Sequence, residues 1–286
     1  MSDSKIAVLI TCYNRRETTL KCLESLYHQN LSFDVYLTDD GSTDGTSEAI
    51  KTYYPKVKIL EGNGSLFWGG GTRLAFAEAS KANYDYYIWL NDDSILKPNA
   101  LNRLLDTHNK LSLQGKSNSI VVGSMEDPIA GVISYGGYIK KSWRPLKFTF
   151  LPPSDRPQEC ETMNGNLVLI PHSVATLVGN IDEAFPHSKG DFDYALRARR
   201  LGCSVYIAPG YLGICSRNGT AGTWMDTNLS LSQRLRKFNK IKGSSFLRQD
   251  SFLFARRHGG LLWILYWVEP YIQFVYITLF KKQSLS

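Results

Sequence analysis

The chain has 286 residues, a formal net charge of +7, 43% apolar residues and 21% charged ones. This composition excludes a collagen-like, disordered or disulfide-framed protein, and the length allows one large α/β domain with an extension. The five cysteines (Cys12, Cys22, Cys160, Cys203, Cys215) are scattered and form no C-x-x-C pair, which speaks against a zinc site and for a reducing compartment.

Residues 6–10 are an uninterrupted aliphatic run, the pattern of a strand buried on both faces of a parallel sheet. The run is too short for a signal-peptide core and lacks a basic leader. A helical pattern with Leu20, Leu23 and Leu26 follows, then a strand over 33–37 that runs into the turn chemistry of Asp39-Asp40-Gly41-Ser42-Thr43-Asp44-Gly45. A helix is expected near 47–53, a third strand over 57–60 and a Gly-rich loop over 62–71. A helix over 72–82 and a fourth strand over 86–90, ending at Asn91-Asp92-Asp93, complete this half. From about residue 120 the pattern loosens, and 126–160 reads as an irregular region. Order returns with a strand over 165–170, a helix over 191–201 closed by Gly202, and a strand over 203–208.

Strand, loop and helix alternating at short intervals predict an α/β fold with a largely parallel sheet. Ligands of such sheets bind outside the carboxyl ends of the strands, and here those ends carry Thr11 to Asn14, Asp39-Asp40 and Asn91-Asp92-Asp93. Two adjacent carboxylates at a strand end disfavour joint ionisation unless a cation binds, and a hard divalent ion suits them. The competing reading is a polar turn that caps the next helix. Asp39 and Asp40 could accept hydrogen bonds from a base or ribose, or could form an Asx turn.

Three segments, Val8-Leu-Ile-Thr-Cys-Tyr-Asn14, Leu37-Thr-Asp-Asp-Gly-Ser-Thr-Asp-Gly45 and Ile88-Trp-Leu-Asn-Asp-Asp93, resemble in order and spacing the inverting family 2 glycosyltransferases of GT-A fold. A fourth follows at Gly190-Asp-Phe-Asp-Tyr-Ala-Leu-Arg-Ala-Arg-Arg-Leu-Gly202, so the likeness covers roughly 5–220. The resemblance implies a GT-A (Rossmann-like) domain that moves a sugar from a nucleotide-diphosphate donor, UDP or dTDP, to a saccharide or lipid-linked acceptor in bacterial surface-polysaccharide assembly. It implies that Thr11 and Asn14 line the nucleotide pocket, that Asp39 and Asp40 hold base and ribose, and that Arg73 lies near base and diphosphate. Asp92 and Asp93 stand for the D-x-D-type pair, with Asp93 the ligand of Mg²⁺ or Mn²⁺, and Asp191 matches the catalytic base. Asp193 is expected to be structural or acceptor-facing, and His187 and Asn164-Gly165-Asn166 to shape the acceptor pocket. Two departures stand out: Gly190 replaces the usual Glu, and Cys215 lies where a metal-binding His is often found. No Q-x-x-R-W signature is present, which implies one sugar added per encounter.

The basic charge is concentrated at the end of the chain. Residues 227–286 hold ten Lys/Arg against two acids, and 261–280 are rich in Trp, Tyr and aliphatics. Glu269-Pro270 at the centre of that run argues against a simple membrane span. The expectation is a catalytic domain over 1–226 and a helical, aromatic and basic extension over 227–286 that touches the cytoplasmic face of a membrane peripherally. Packing on the catalytic domain or on a second copy is the alternative; the pattern lacks a nucleic-acid reading motif. Gly69-Gly-Gly-Thr-Arg-Leu74 also resembles the loop of sugar nucleotidyltransferases, and the missing His and Glu leave room for a non-catalytic sugar-binding or scaffold subunit.

Overall fold

The computed structural model describes residues 4–217, 219–239 and 249–280. Its first half runs β1 (Ile6–Cys12), α1 (Arg16–Tyr27), β2 (Asp34–Asp39), α2 (Thr46–Tyr53), β3 (Lys58–Glu61), α3 (Phe67–Ala79), β4 (Tyr86–Asn91), β5 (Ile95–Leu96) and α4 (Ala100–Leu113). There follow β6 (Ser119–Glu126), β7 (Ile133–Tyr135), β8 (Gly137–Lys140), β9 (Phe148–Phe150), β10 (Gln158–Cys160), β11 (Thr162–Met163) and β12 (Leu167–Pro171). The remainder is α5 (His172–Val178), α6 (Gly190–Arg200), β13 (Ser204–Ile214), α7 (Leu231–Asn239), α8 (Gln249–His258), a 3₁₀ turn (Gly260–Leu262) and α9 (Trp263–Phe280).

The main sheet has the order β10-β13-β6-β12-β4-β1-β2-β3. β3, β2, β1 and β4 are parallel, as are β6 and β13, whereas β12 is antiparallel to both β4 and β6. Alternate residues of β1 feed opposite faces. Val8 and Ile10 join Leu23 and Leu26 of α1 and Leu101 and Leu104 of α4; Ala7 and Leu9 join Phe76 of α3 and Tyr194 of α6. Both faces are covered, which is why the strand reads as a continuous apolar run.

Two expectations need correction. α3 begins at Phe67, so Gly69, Gly70 and Gly71 lie buried in its first turns and not in a loop. Residues 119–126 form a strand inside the main sheet, β6, and 126–160 are irregular only in part: β7 to β10 are short strands separated by turns, and β8 lies between β9 and β11 in a second, three-stranded sheet. That small sheet is built from strands of two to four residues, too short to leave a period in the sequence.

The chain divides into two compact units, one of residues 4–139 and 148–217, the other of 140–147, 219–239 and 249–280. In the second unit Trp224, Phe238 and Phe274 pack together, with Phe238 and Phe274 ring centroids 4.9 Å apart. Lys147 pairs with Glu269. The opposite side of α9 exposes Ile264, Leu265, Ile272, Val275, Tyr276 and Leu279. Among the described residues no helix is long and apolar enough to cross a membrane.

Candidate active site

The register of the parallel strands sets the site. Thr11 lies opposite Thr38 and Asn91, and Cys12 opposite Asp39, so three polar strand ends share one edge. α3 crosses that edge closely: a Cβ on Gly71 would sit 2.3 Å from Thr11 Cγ2, and the Gly69 amide donates to the Pro186 carbonyl at 2.7 Å. The glycines therefore permit close backbone approach, and the amides of Gly69 and Gly70 are already bonded to the Pro186 carbonyl. Thr11 and Thr72 hydroxyls meet at 3.3 Å.

The acids after β2 are largely committed to loop geometry. Asp39 accepts the Ser42 amide on Oδ1 at 2.9 Å and the Ser47 hydroxyl on Oδ2. Asp40 accepts the amides of Gly64 and Phe67, each at 2.9 Å, and so fixes the entry to α3. Asn14, at φ +49°, accepts the Thr43 amide at 2.7 Å and donates its own amide to Ser42 Oγ at 2.8 Å. Asn tolerates this left-handed geometry better than most residues. Arg73 pairs with Glu183 at 3.6 Å, beside a cavity of about 160 Å³ whose lining includes Leu66, Gly70 and Phe185.

The pair after β4 has a cation that the sequence reading did not assign. The Arg15 guanidinium spans both carboxylates, 3.1 Å from Asp92 Oδ1 and 3.0 Å from Asp93 Oδ2. Burial pushes the Asp92 carboxyl up to about 7, with Arg15 opposing and Asp93 adding to the rise. Asp93 also accepts a hydrogen bond from the Cys215 thiol at 3.4 Å. Burial and the Asp93 charge push that thiol up to about 12, so it stays protonated. Among the described residues no group of three or more His, Cys, Asp or Glu could hold a metal ion. What the chain offers is one or two carboxylates, a donor set that suits Mg²⁺ or Mn²⁺ only when phosphate oxygens and water complete it.

Asp191 opens α6. Its Oδ2 accepts the Gly165 amide at 3.0 Å and Oδ1 the Phe192 amide at 2.8 Å. Burial pushes it up to about 6, against the pull of those amides and of the Asn164 side chain. Gly165 is required where it stands, because a Cβ there would lie 2.3 Å from the Trp68 ring. Continuous contacts join Asp191 to the acidic pair. Gly165 adjoins Asn166, whose side chain donates to Cys215 Sγ at 3.6 Å, and Cys215 touches Asp93. The Asn166 carbonyl accepts the Asn91 amide at 3.1 Å, and Trp68 Nε1 donates to Asn91 Oδ1 at 2.7 Å. Asp93 and Asp191 thus lie at the two ends of one short network.

Asp193 is sealed in an ion pair with Arg197 at 2.8 Å. His187 stacks on Phe67 with centroids 5.1 Å apart. A Cβ on Gly190 would already lie 3.1 Å from Ile181 and 3.3 Å from the Phe185 carbonyl, which leaves little room for a longer side chain there.

A model of glycosyl transferase family 2 matches residues 7–154. The chain is 26% identical over 200 residues to an N-acetylglucosaminyl-diphospho-decaprenol L-rhamnosyltransferase of Mycobacterium tuberculosis, which covers 60% of this chain and 63% of that protein. It is 35% identical over 108 residues to an uncharacterised glycosyltransferase of Mycoplasma pneumoniae, covering 35% of each. The chain thus spans less than two thirds of either relative. Its fold is shared with S. aureus TarS 1-349 in complex with UDP-GlcNAc, at TM-score 0.55 and 13% identity over 96% of this chain and 81% of that one. It is shared also with the mannosyltransferase PcManGT of Pyrobaculum calidifontis in complex with GDP-Man and Mn²⁺, at 0.56 and 13% over 98% and 71%. Motifs, sheet order and family match agree, and the chain belongs to glycosyl transferase family 2.

Proposed function

We propose that the protein transfers a sugar from a nucleotide-diphosphate sugar to an acceptor hydroxyl with inversion at the anomeric carbon. The observation that carries this is Asp191, a carboxylate lifted to about 6 and linked by contacts to the acidic pair at the β4 end. At neutral pH it is ionised yet basic enough to take a proton. Asp191 accepts the proton of the acceptor hydroxyl as that oxygen bonds to the anomeric carbon and the bond to the diphosphate breaks. Thr11 and Asp39 bound the nucleotide pocket, and Asn14 and Asp40 hold its loops. Arg73 lies near the base and diphosphate, and its exposed 3.6 Å pair with Glu183 is weak enough for a nucleotide to displace. Asp93, with Asp92 behind it, would hold Mg²⁺ or Mn²⁺, which when bound neutralises charge on the leaving diphosphate.

The relatives named for rhamnosyl transfer to a decaprenol-linked sugar, and for chondroitin and hyaluronan synthesis in Pasteurella multocida, support a lipid-linked or saccharide acceptor in surface-polysaccharide assembly. The exposed apolar side of α9 and the ten basic residues of 227–286 support a tail resting on an anionic membrane surface at its cytoplasmic face. Incubation with a panel of UDP- and dTDP-sugars and Mn²⁺, with candidate acceptors, tests the activity. Release of nucleoside diphosphate and a product of inverted anomeric configuration by NMR are expected; retention, pyrophosphate release or no turnover of any donor would refute it.

A further inference from the structure

The small sheet carries an aromatic cluster beside Asp191. Tyr138 of β8 stacks on Phe150 of β9 with centroids 4.3 Å apart, and Phe192, the residue after Asp191, lies 5.0 Å from Tyr138 and 6.0 Å from Phe148. Phe148 and Phe150 share one face of β9 because side chains alternate along a strand. All four rings remain partly exposed, and the Arg217 guanidinium sits 5.4 Å from the Phe150 centroid with its side chain in solvent. The cluster is tied to the carboxylate: Tyr138 Oη donates to Asn164 Oδ1 at 3.0 Å, and Asn164 also hydrogen-bonds Asp191.

We propose that this cluster is the acceptor subsite and that it binds a saccharide ring by stacking. A pyranose presents a face of C–H groups with hydroxyls at its rim. A partly exposed aromatic surface removes that face from water and leaves the rim free to hydrogen-bond. Continuity with Asp191 selects this occupant: Phe192 follows Asp191 in the chain and Tyr138 reaches it through Asn164, so a pyranose resting on the exposed rim of the cluster lies next to the carboxylate that must deprotonate one of its hydroxyls. Arg217 lies over the Phe150 ring and adds a positive charge to the surface. The inference rests on the transferase reading above and adds to it the residues that hold and select the acceptor.

Saturation-transfer NMR on the full chain tests it, with UDP, dTDP and the methyl glycosides of glucose, N-acetylglucosamine and rhamnose as probes. At least one glycoside is expected to receive saturation on its ring protons. That signal should fall by about tenfold in Phe148→Ala, Phe150→Ala and Phe150→Leu and return in Phe150→Tyr. The leucine variant keeps apolar bulk without a ring, so it separates stacking from packing. Nucleotide signals should be the same throughout, which also reports an intact fold. Glycoside signals that survive the alanine and leucine changes, or no glycoside signal where a nucleotide gives one, would overturn the subsite. Absence of a signal from both UDP and dTDP with the unaltered protein would instead remove the transferase reading on which it depends.

Discussion

Asp191 and Arg15 are the two residues whose surroundings make the sharpest demands. Burial holds the Asp191 carboxyl near 6, and it must be ionised to accept a proton. kcat/KM is therefore expected to fall as pH drops through about 6, roughly tenfold per unit below it, in a pH–rate profile measured with saturating metal. A profile flat from pH 7 to pH 5 would assign the base elsewhere. Arg15 occupies the space between Asp92 and Asp93, so a divalent ion reaching those oxygens competes with its guanidinium. Arg15→Gln should bind Mn²⁺ without nucleotide about tenfold more tightly than the unaltered chain, as read by electron paramagnetic resonance. Equal affinities would mean that the ion pair does not guard the site. Asp39, Asp40, Asp92 and Asp93 were legible in the sequence because they close or follow apolar strands, whereas Asp191, in the first turn of α6, was placed by the family resemblance alone. Arg15 was not, since its partners lie 77 and 78 residues away and only the β1–β4 pairing brings them together.

At the scale of elements, β1, β2 and β4 could be read directly because burial on both faces leaves apolar runs, while β3, at the sheet edge, shows only a short one. α3 was placed too late because three consecutive glycines carry the local signal of a loop, and their low helix propensity is overridden by packing. The three are not equivalent. A Cβ on Gly69 would meet the Phe185 carbonyl at 2.1 Å, whereas on Gly70 it would meet only the Leu66 side chain at 3.2 Å. Gly69→Ala should cost about 1–3 kcal/mol in urea denaturation, and Gly70→Ala should lie within about 1 kcal/mol of neutral because its gain in helix propensity offsets a modest contact. Similar losses at both positions would show that the close approach of α3 to the 185–186 segment is not what these glycines serve. The aromatic cluster escaped the sequence reading for a related reason: its rings come from three short elements whose proximity no local period encodes.

For the whole molecule, the tail and the catalytic unit make separable claims. The tail's composition raises the expectation of an interfacial segment, and α9 runs unbroken through Pro270 with an apolar side exposed. Leu265→Glu and Leu279→Glu, at positions 60% and 68% exposed, should leave stability within about 0.5 kcal/mol while sharply reducing sedimentation with phosphatidylglycerol vesicles. Unchanged sedimentation would favour a second copy of the chain as the cover of α9, which analytical ultracentrifugation would then detect. The catalytic claim stands on Asp191 acting in the same cleft as Asp93. Its most direct test is the turnover of a donor sugar by Asp191→Asn, set against UDP affinity by calorimetry. The account predicts a loss of about 10²–10⁴-fold in kcat with UDP binding unchanged. Turnover at the unaltered rate would contradict it.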